Sequence, residues 1–395
     1  MRILMVHPHD INSSIEPWTR RIKSFAGELA NRGHQVKLVY FPLSGRSRKH
    51  YFPDGYEAVP LQRVISPAVF IRNIWKLTKL AGWADIVHFQ KCHYYSAVPA
   101  VIAAYLKGKP LHYDWDDWEE MIWYESWEKG IQSRFIGFSF RIPERLLPVL
   151  SDTVSVSSQY LRDLARKNGA QEEDIFWIPV GADLEKFNPG IDGSEVRRRH
   201  NIRNSMVLYL GQLHGAQYID LFIRAANIVL HKNPQLIFMI VGGGFKEDKL
   251  KSLAGELGIN DRIIFTGSVP QDSVPEHIAA ADVCVAPFRD TRVTCCKSPL
   301  KIAEYMACGK AIVASNVGEI RRMLGGVGVL AQPDDHCALA EGILTILNGE
   351  KELKDKLGKY VRKRAEGTYN WQVVVSKLSA AYEKLYVNQQ KEDCS

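Results

Sequence analysis

The sequence predicts an α/β protein built from two doubly wound, Rossmann-like units in tandem. Three observations predict it. Short, continuous apolar runs recur along the chain, each followed by a helical pattern, as buried parallel strands with crossover helices require. The rhythm restarts after a Pro/Gly-bearing stretch from Asn188 to Gly193. The chain has 395 residues, beyond the ~250–300 at which one core usually stops growing, so two domains of similar size are expected.

In the first half the strand-like runs are Ile3 to Val6, Val36 to Phe41, Ile86 to Phe89, Leu111 to Tyr113, Thr153 to Val156 and Phe176 to Pro179. Trp18 to Arg32 reads as a helix that Gly33 closes. In the second half the runs are Met206 to Leu210, Leu236 to Val241, Ile263 to Thr266, Val283 to Ala286 and Ala311 to Ala314. A final helix, Trp371 to Tyr386, precedes a polar tail from Asn388 to Ser395. The expected division is 1–185, 186–370, and 371–395 for the last helix and tail, with the helix packing back on the N-terminal domain. Units of this kind bind ligands at the carboxyl ends of their strands, in a cleft where the two halves face each other.

Hydrophobic residues at 46% and charged residues at 24% are ordinary globular values. No apolar segment at the N-terminus is long enough for a signal peptide or an anchor, which predicts a cytoplasmic protein. The seven cysteines include the adjacent Cys295 and Cys296 but no Cys-x-x-Cys pair, so neither a disulfide framework nor a zinc site is indicated. The net charge of +7 is front-loaded: residues 1–112 hold 16 Lys/Arg against 6 Asp/Glu. That face is suited to an anionic partner. Without a zinc finger, an aromatic RNA-binding signature or a basic arm, nucleic acid ranks behind membrane phosphates and a lipid-linked acceptor.

Two segments of the second half carry the chemistry. Strand Leu236 to Val241 runs into Gly242-Gly243-Gly244 and a helix from Lys246 to Leu257, a geometry that can seat a phosphate or serve as a plain turn. The segment Cys295 to Ser315 reads as loop, helix, turn and buried strand. Ser298 is a candidate N-cap with Pro299 at the first helical position, so first-turn N–H groups and the Lys301 side chain can converge on a diphosphate. Glu304, further along the helix, would face ribose hydroxyls. The alternative is a solvent-facing Lys and Glu on an amphipathic helix.

The stretch Ser298-Pro299-Leu300-Lys301, followed by Glu304-Tyr305-Met306-Ala307 and Gly309-Lys310, resembles the donor-binding motif of family-4 glycosyltransferases, retaining enzymes of the GT-B fold. Leu208-Tyr209-Leu210-Gly211, Val241 to Gly244, Phe265 to Val269 and Ile178 to Asp183 line up in the same order. The resemblance implies transfer of a sugar from a UDP- or GDP-linked donor to a glycan or lipid-linked acceptor in surface-polysaccharide or glycolipid assembly, without a metal or resident cofactor. It implies that Glu304 binds the ribose, that Ser298, Pro299 and Leu300 line sugar and diphosphate, and that Gly267 and Ser268 border the base; Gly211 and Gly243 are further donor-binding candidates. Two departures stand out. Cys296 occupies a position where many relatives have Glu, and Gln212 and Gln217 fall where an Arg and a Lys usually neutralise the diphosphate.

Two neutral amides cannot replace two cations at a leaving diphosphate. Lys301, with Lys297 as helper, is the expected source of charge. Other readings are a nucleotide-sugar epimerase or hydrolase on the same frame, or a weakly catalytic relative acting as a membrane-associated binding protein.

In the first half, Asp114 to Glu120 follows a strand. Asp116 falls where many relatives have the His of a His-Asp pair, and Asp117 matches the Asp. Either carboxylate could accept a hydrogen bond from an acceptor hydroxyl or stabilise a cationic anomeric centre; a solvated acidic turn is the plain alternative. Tyr113, Trp115, Trp118, Trp123, Tyr124 and Trp127 surround them and could pack on a sugar face, on a membrane interface or in the core. Arg72, Lys76 and Lys79 recur at helical spacing among apolar neighbours, as do Arg134, Arg141 and Arg145, which suits docking on anionic lipid at the inner face of the cell membrane.

Overall fold

A computed structural model describes residues 1–395 except 13–18, 44–48, 64–65, 127–129, 215–216 and 394–395, and only the backbone of 131–132, 351 and 392–393. The chain forms two compact units. One holds Met1–Tyr124, Glu128–Pro179 and Trp371–Ser395, and the other Glu125–Trp127 and Val180–Asn370.

The first unit is an eight-stranded sheet of β1 (Arg2–Val6), β2 (Gln35–Tyr40), β3 (His50–Tyr51), β4 (Glu57–Pro60), β5 (Ile86–Gln90), β6 (Leu111–Trp115), β7 (Thr153–Val156) and β8 (Ile175–Trp177). The order is β3-β4-β2-β1-β5-β6-β7-β8, parallel throughout except for the β3–β4 pair. The chain leaves β1 for β2 on one side and later returns to β5 on the other, which makes the carboxyl ends of β1 and β5 a switch point where ligands bind in open sheets. Every residue of β5 and β6 is buried, the expected consequence of helices on both faces. The helix Trp371–Asp393 packs on the helix Thr19–Asn31 and against β5, β7 and β8. It extends through most of the expected polar tail, because Gln389, Gln390 and Lys391 are fair helix formers and no Gly or Pro interrupts them.

The second unit is a six-stranded parallel sheet of β9 (Met206–Leu210), β10 (Ile237–Val241), β11 (Ile263–Gly267), β12 (Val283–Ala286), β13 (Ala311–Ser315) and β14 (Val329–Ala331), in the order β11-β10-β9-β12-β13-β14. Its switch point lies between β9 and β12. The core is formed by β-face residues such as Val207, Phe238 and Val285, packed against Phe222, Val229 and Ile343 of the covering helices. The crossing from the first unit to the second comes at Pro179 and Val180, a few residues before the expected boundary at 185. Hydrogen bonding explains the position: Ala182 N–H donates to Tyr369 O at 2.8 Å, which ties the incoming segment into the second unit.

A buried ion pair joins the first helix to the first sheet. Asp114, in the middle of the apolar β6, accepts from Arg21 Nε at 2.9 Å and Nη2 at 2.8 Å, and from Ser155 Oγ at 2.6 Å. Arg21 also donates to the carbonyls of Ile178 and Pro179 at 2.8 and 3.0 Å. This buried bidentate pair ties the first helix to the middle of the sheet and to the segment after β8.

Candidate functional site

In the second unit, three loops at the carboxyl ends of β9, β10 and β11 are laced together. Gly211 N–H donates to Val241 O at 2.9 Å, Leu213 N–H to Gly243 O at 3.0 Å, and Gly242 N–H to Gly267 O at 3.0 Å. A Cβ on Gly242, whose φ is +137°, would lie 2.0 Å from Gly211 O, and one on Gly243 would lie 2.7 Å from Ser268 Oγ. Close approach of loop to loop therefore accounts for these glycines. The N–H groups of Gly211 and Gly242 are spent on neighbouring strands rather than pointed at a phosphate.

Cations gather around these loops. Lys301 is in the first turn of the helix Leu300–Ala307, and its Nζ donates to Tyr209 Oη at 3.1 Å and Gln217 Oε1 at 3.3 Å while lying over the Tyr209 ring, 4.2 Å from its centre. A Cβ at Gly211 would come within 2.6 Å of that ammonium, so glycine there leaves room for the cation. Burial, then the charge of Lys297, pulls Lys301 down to about 7, against the opposing pull of Glu304. His214 is drawn down to about 4 by burial and by Lys297, Lys301 and Lys246. Lys246, Lys297 and Lys301 thus all act on the charge of His214, after the end of β9.

Other residues singled out by the sequence fall around this centre. Gln212 Oε1 is bonded to His214 Nε2. Gln217 Oε1 also accepts from Tyr209 Oη at 3.3 Å, so the amide orients the lysine rather than replacing it. Glu304 is buried on the same helix, and the neighbouring Tyr305 Oη accepts from Leu210 N–H at 2.8 Å, locking this helix onto the end of β9. Ser298 is not the N-cap. The helix begins one residue later, with Pro299 at φ −72° and ψ 117° as the capping residue, and Ser298 Oγ instead accepts from Val180 N–H at 3.2 Å. The rigid φ of proline allows both the cap and the first-turn position, and the Val180 bond selects the former. Lys246, His214 and Tyr209 were missed. A lysine just after three glycines was a usable signal for Lys246, whereas Tyr209 reads only as part of an apolar strand.

In the first unit, acidic and basic groups meet at the carboxyl ends of β1, β5 and β6. Lys91, directly after β5, is 2% exposed. Its Nζ lies 3.2 Å from Asp116 Oδ1 and 3.9 Å from Asp117 Oδ2, and pairs with Glu119 Oε1. Lys91 has φ +63°, a left-handed conformation that costs a branched or long side chain about 1 kcal/mol or more. Gln90 Nε2 donates to Asp116 Oδ2 at 3.0 Å and its Oε1 is 2.7 Å from His7 Nδ1, whose Nε2 is 3.2 Å from Thr19 Oγ1. The amide oxygen accepts from Nδ1–H, and with the ring held neutral by burial Nε2 receives the threonine hydroxyl proton. Burial first, then Lys91, drives His7 and His93 down to about 3. Asp116 is pushed up to about 7 by burial, Lys91 opposing, with Asp117 and Asp114 adding repulsion. Of the two predicted aspartates, Asp116 is enclosed and Asp117 is the more open, with about a quarter of its side chain exposed.

The aromatic cluster divides. Tyr113 and Trp115 belong to the core, stacked in series on Phe89 with centroids 4.9 and 6.0 Å apart. Trp118, Trp123 and Tyr124 are half-buried, Trp123 Nε1 donating to Ser133 O at 2.9 Å, and Trp127 lies outside the described residues. His88 is a buried structural residue against Tyr382 Oη at 2.7 Å. Arg72, Lys76 and Lys79 are exposed on the helix Pro67–Trp83, Lys79 lying 3.6 Å over the Trp75 ring. Among the described residues, no group of three or more His, Cys, Asp or Glu side chains is arranged to hold a metal ion, and no helix is long and apolar enough to cross a membrane.

Comparison with known proteins follows the same division. Residues 19–181 match the family model "Glycosyl transferase 4-like domain" and residues 204–349 match "Glycosyl transferases group 1". The D-inositol 3-phosphate glycosyltransferase of Geodermatophilus obscurus is 31% identical over 252 residues, 60% of this chain and 54% of that protein. A GDP-mannose-dependent alpha-(1-6)-phosphatidylinositol monomannoside mannosyltransferase of Mycolicibacterium smegmatis is 29% identical over 172 residues, 42% of this chain and 45% of that one. The chain spans about half the length of these curated relatives. Among solved structures, sucrose-phosphate synthase from Thermosynechococcus elongatus aligns with a TM-score of 0.76 at 18% identity, covering 98% of this chain and 99% of that one. Anabaena HepE in complex with UDP aligns with a TM-score of 0.71 at 19% identity, covering 97% and 100%. Each half carries its own glycosyltransferase match in the expected order, and the chain has the GT-B fold of its structural neighbours.

Proposed function

We propose that the chain transfers a glycosyl group, with retention, from a nucleoside-diphosphate sugar to a glycan or lipid-linked acceptor in surface-polysaccharide or glycolipid assembly. The observation that carries this reading is that Lys246, Lys297 and Lys301 all act on the charge of His214, with the Lys301 ammonium beside Gly211 at the end of β9. A diphosphate would bring negative charge to these lysines. Glu304 on the same helix supplies a carboxylate for ribose hydroxyls, and Gly267 and Ser268 at the end of β11 would border the base. A UDP or GDP donor is supported by HepE, solved with UDP-glucose, and by the GDP-mannose-dependent relative. Asp116 and Asp117 would serve the acceptor hydroxyl or the anomeric centre.

Calorimetry with UDP and GDP tests the donor assignment. Glu304→Ala is expected to weaken binding of the preferred nucleotide about tenfold or more, as loss of a charged hydrogen bond does. Its melting transition without nucleotide should remain. Unchanged affinity would remove Glu304 from the site.

Membrane contact, at the inner face of the cell membrane, is part of the same proposal. On the helix Ile131–Leu150, Phe135, Phe138, Ile142, Leu146 and Val149 are all exposed, at spacings of three and four residues that align them on one face. Arg134, Arg141 and Arg145 are exposed alongside, and the helix's one carboxylate, Glu144, is buried. An apolar stripe edged by arginine suits an anionic bilayer surface. With about 1 kcal/mol per cation near such a surface, replacing Arg72, Lys76 and Lys79 by Gln should reduce partition onto anionic vesicles by up to about a hundredfold at low salt and flatten its salt dependence. Sedimentation reads this directly, and wild-type protein that ignores such vesicles would end the docking proposal.

A further inference from the structure

Lys91 has no place in the sequence reading, yet it is the hub of the acidic cluster in the first unit. Its ammonium contacts Asp116, Asp117 and Glu119, which come from the loop after β6 and the helix that follows. From the segment after β1 come His7 and His9, from its own loop His93, and from the segment after β4 Arg63, whose Nη2 lies 3.1 Å from His9 Nδ1. Glu144 faces the cluster from the helix Ile131–Leu150, accepting from the Glu119 N–H at 2.7 Å. The histidines are held neutral by burial and by the nearby cations. Lys91 is therefore the cation that these carboxylates share at close range.

Asp116 Oδ2 accepts from Gln90, which His7 and Thr19 orient in turn, while its buried Oδ1 accepts no hydrogen bond among the described residues and lies 3.2 Å from the Lys91 ammonium. Asp117, next in sequence, points to the open side. Lys91 is also held in a left-handed backbone conformation, which glycine or asparagine would adopt more easily. We propose that Lys91 is a positioning residue, gripping Asp116 and Glu119 so that Asp117 is the carboxylate presented to a reacting hydroxyl. This rests on the glycosyl transfer proposed above for the role of the hydroxyl, but the gripping itself does not.

The test uses the full chain with Lys91→Met, Lys91→Arg and the double variant Lys91→Met with Glu119→Gln. Lys91→Met leaves three carboxyls without their shared cation, whereas the double variant restores the wild-type net charge of the group. Carbon-13 NMR of aspartate-labelled protein follows the Asp117 carboxyl, assigned by its loss in Asp117→Asn, without any donor. Its midpoint should rise by one pH unit or more in Lys91→Met, because removing a cation favours the protonated acid. It should return to within a few tenths of a unit in Lys91→Arg and in the double variant. Hydrolysis of UDP-glucose and GDP-mannose should show the acid limb of kcat/KM moving by the same amount and in the same variants.

If Lys91→Met fails to fold, the double variant and Lys91→Arg still decide. An Asp117 midpoint displaced by a unit in both, or a double variant that also fails to fold, overturns the proposal. So does a Lys91→Met protein whose Asp117 midpoint is unmoved. Wild-type protein that turns over neither donor would count against the proposed transfer while leaving the NMR result to decide on Lys91.

Discussion

Replacing Lys301 with alanine is expected to lower turnover by ~100-fold or more, with a smaller loss of nucleotide affinity. A departing nucleoside diphosphate gains negative charge that fixed positive charge must meet. Helix N-termini contribute a fraction of a kcal/mol to ~2 kcal/mol each, and the N–H groups of Gly211 and Gly242 are already engaged. Lys301 differs from a surface lysine because Tyr209 and Gln217 hold its ammonium in place beside Gly211 before any ligand arrives. A preorganised charge needs no reorientation in the transition state.

The same burial makes the charge conditional. Lys301 loses its proton as pH rises through about 7, so kcat/KM, which reports the free enzyme, should fall on that side, while kcat should hold to higher pH because a bound diphosphate favours the charged form. Lys301→Arg keeps the charge at every pH and should abolish that alkaline limb, yet restore only part of the rate, since a planar fork cannot sit where a point charge sat. Near-normal turnover in Lys301→Ala would reject the assignment.

The sheets were legible because their buried parallel strands are written as continuous apolar runs, which Ile86 to Phe89 and Val283 to Ala286 show. The strands His50–Tyr51, Glu57–Pro60 and Val329–Ala331 were not. They are two to four residues long at or beside sheet edges, where one flank needs no apolar partner and pattern carries little information. The helix Leu300–Ala307 was legible as a local motif, from Ser298 to Glu304. Its working contacts were not, because Lys301 meets Gln217 and Tyr209 across 84 and 92 residues of chain, and only strand order brings those together. The Gln212 and Gln217 departures directed attention to a cation elsewhere in the sequence, and Lys301 Nζ lies against Gln217 Oε1. Lys91 gave no signal at all: an isolated lysine after a strand looks like any surface lysine until the topology sets β5 beside β6.

Arg21→Ala is expected to cost about 3–5 kcal/mol of stability, the usual consequence of leaving a buried charge without its partner. Against a total of ~5–15 kcal/mol for a folded domain, that is a large fraction. Burial alone pushes the Asp114 carboxyl up, but the charge and hydrogen bonds of Arg21 more than offset it and hold Asp114 well below the ordinary carboxylate range. A depressed folded-state pKa contributes stability that is fully present above the unfolded value of about 3.9 and is lost as pH falls below it. Wild-type stability should therefore decline in acid partly through this pair. In Arg21→Ala the sign reverses, because a buried carboxyl without its cation titrates above the unfolded value and the variant gains stability as Asp114 takes up a proton. Urea unfolding across pH separates the two profiles. Replacing both partners, Arg21→Met with Asp114→Leu, should recover most of the loss, since an apolar pair of similar size carries no unpaired charge. A double variant as unstable as Arg21→Ala would locate the stability in the bonds Arg21 makes to the Ile178 and Pro179 carbonyls, and not in its charge.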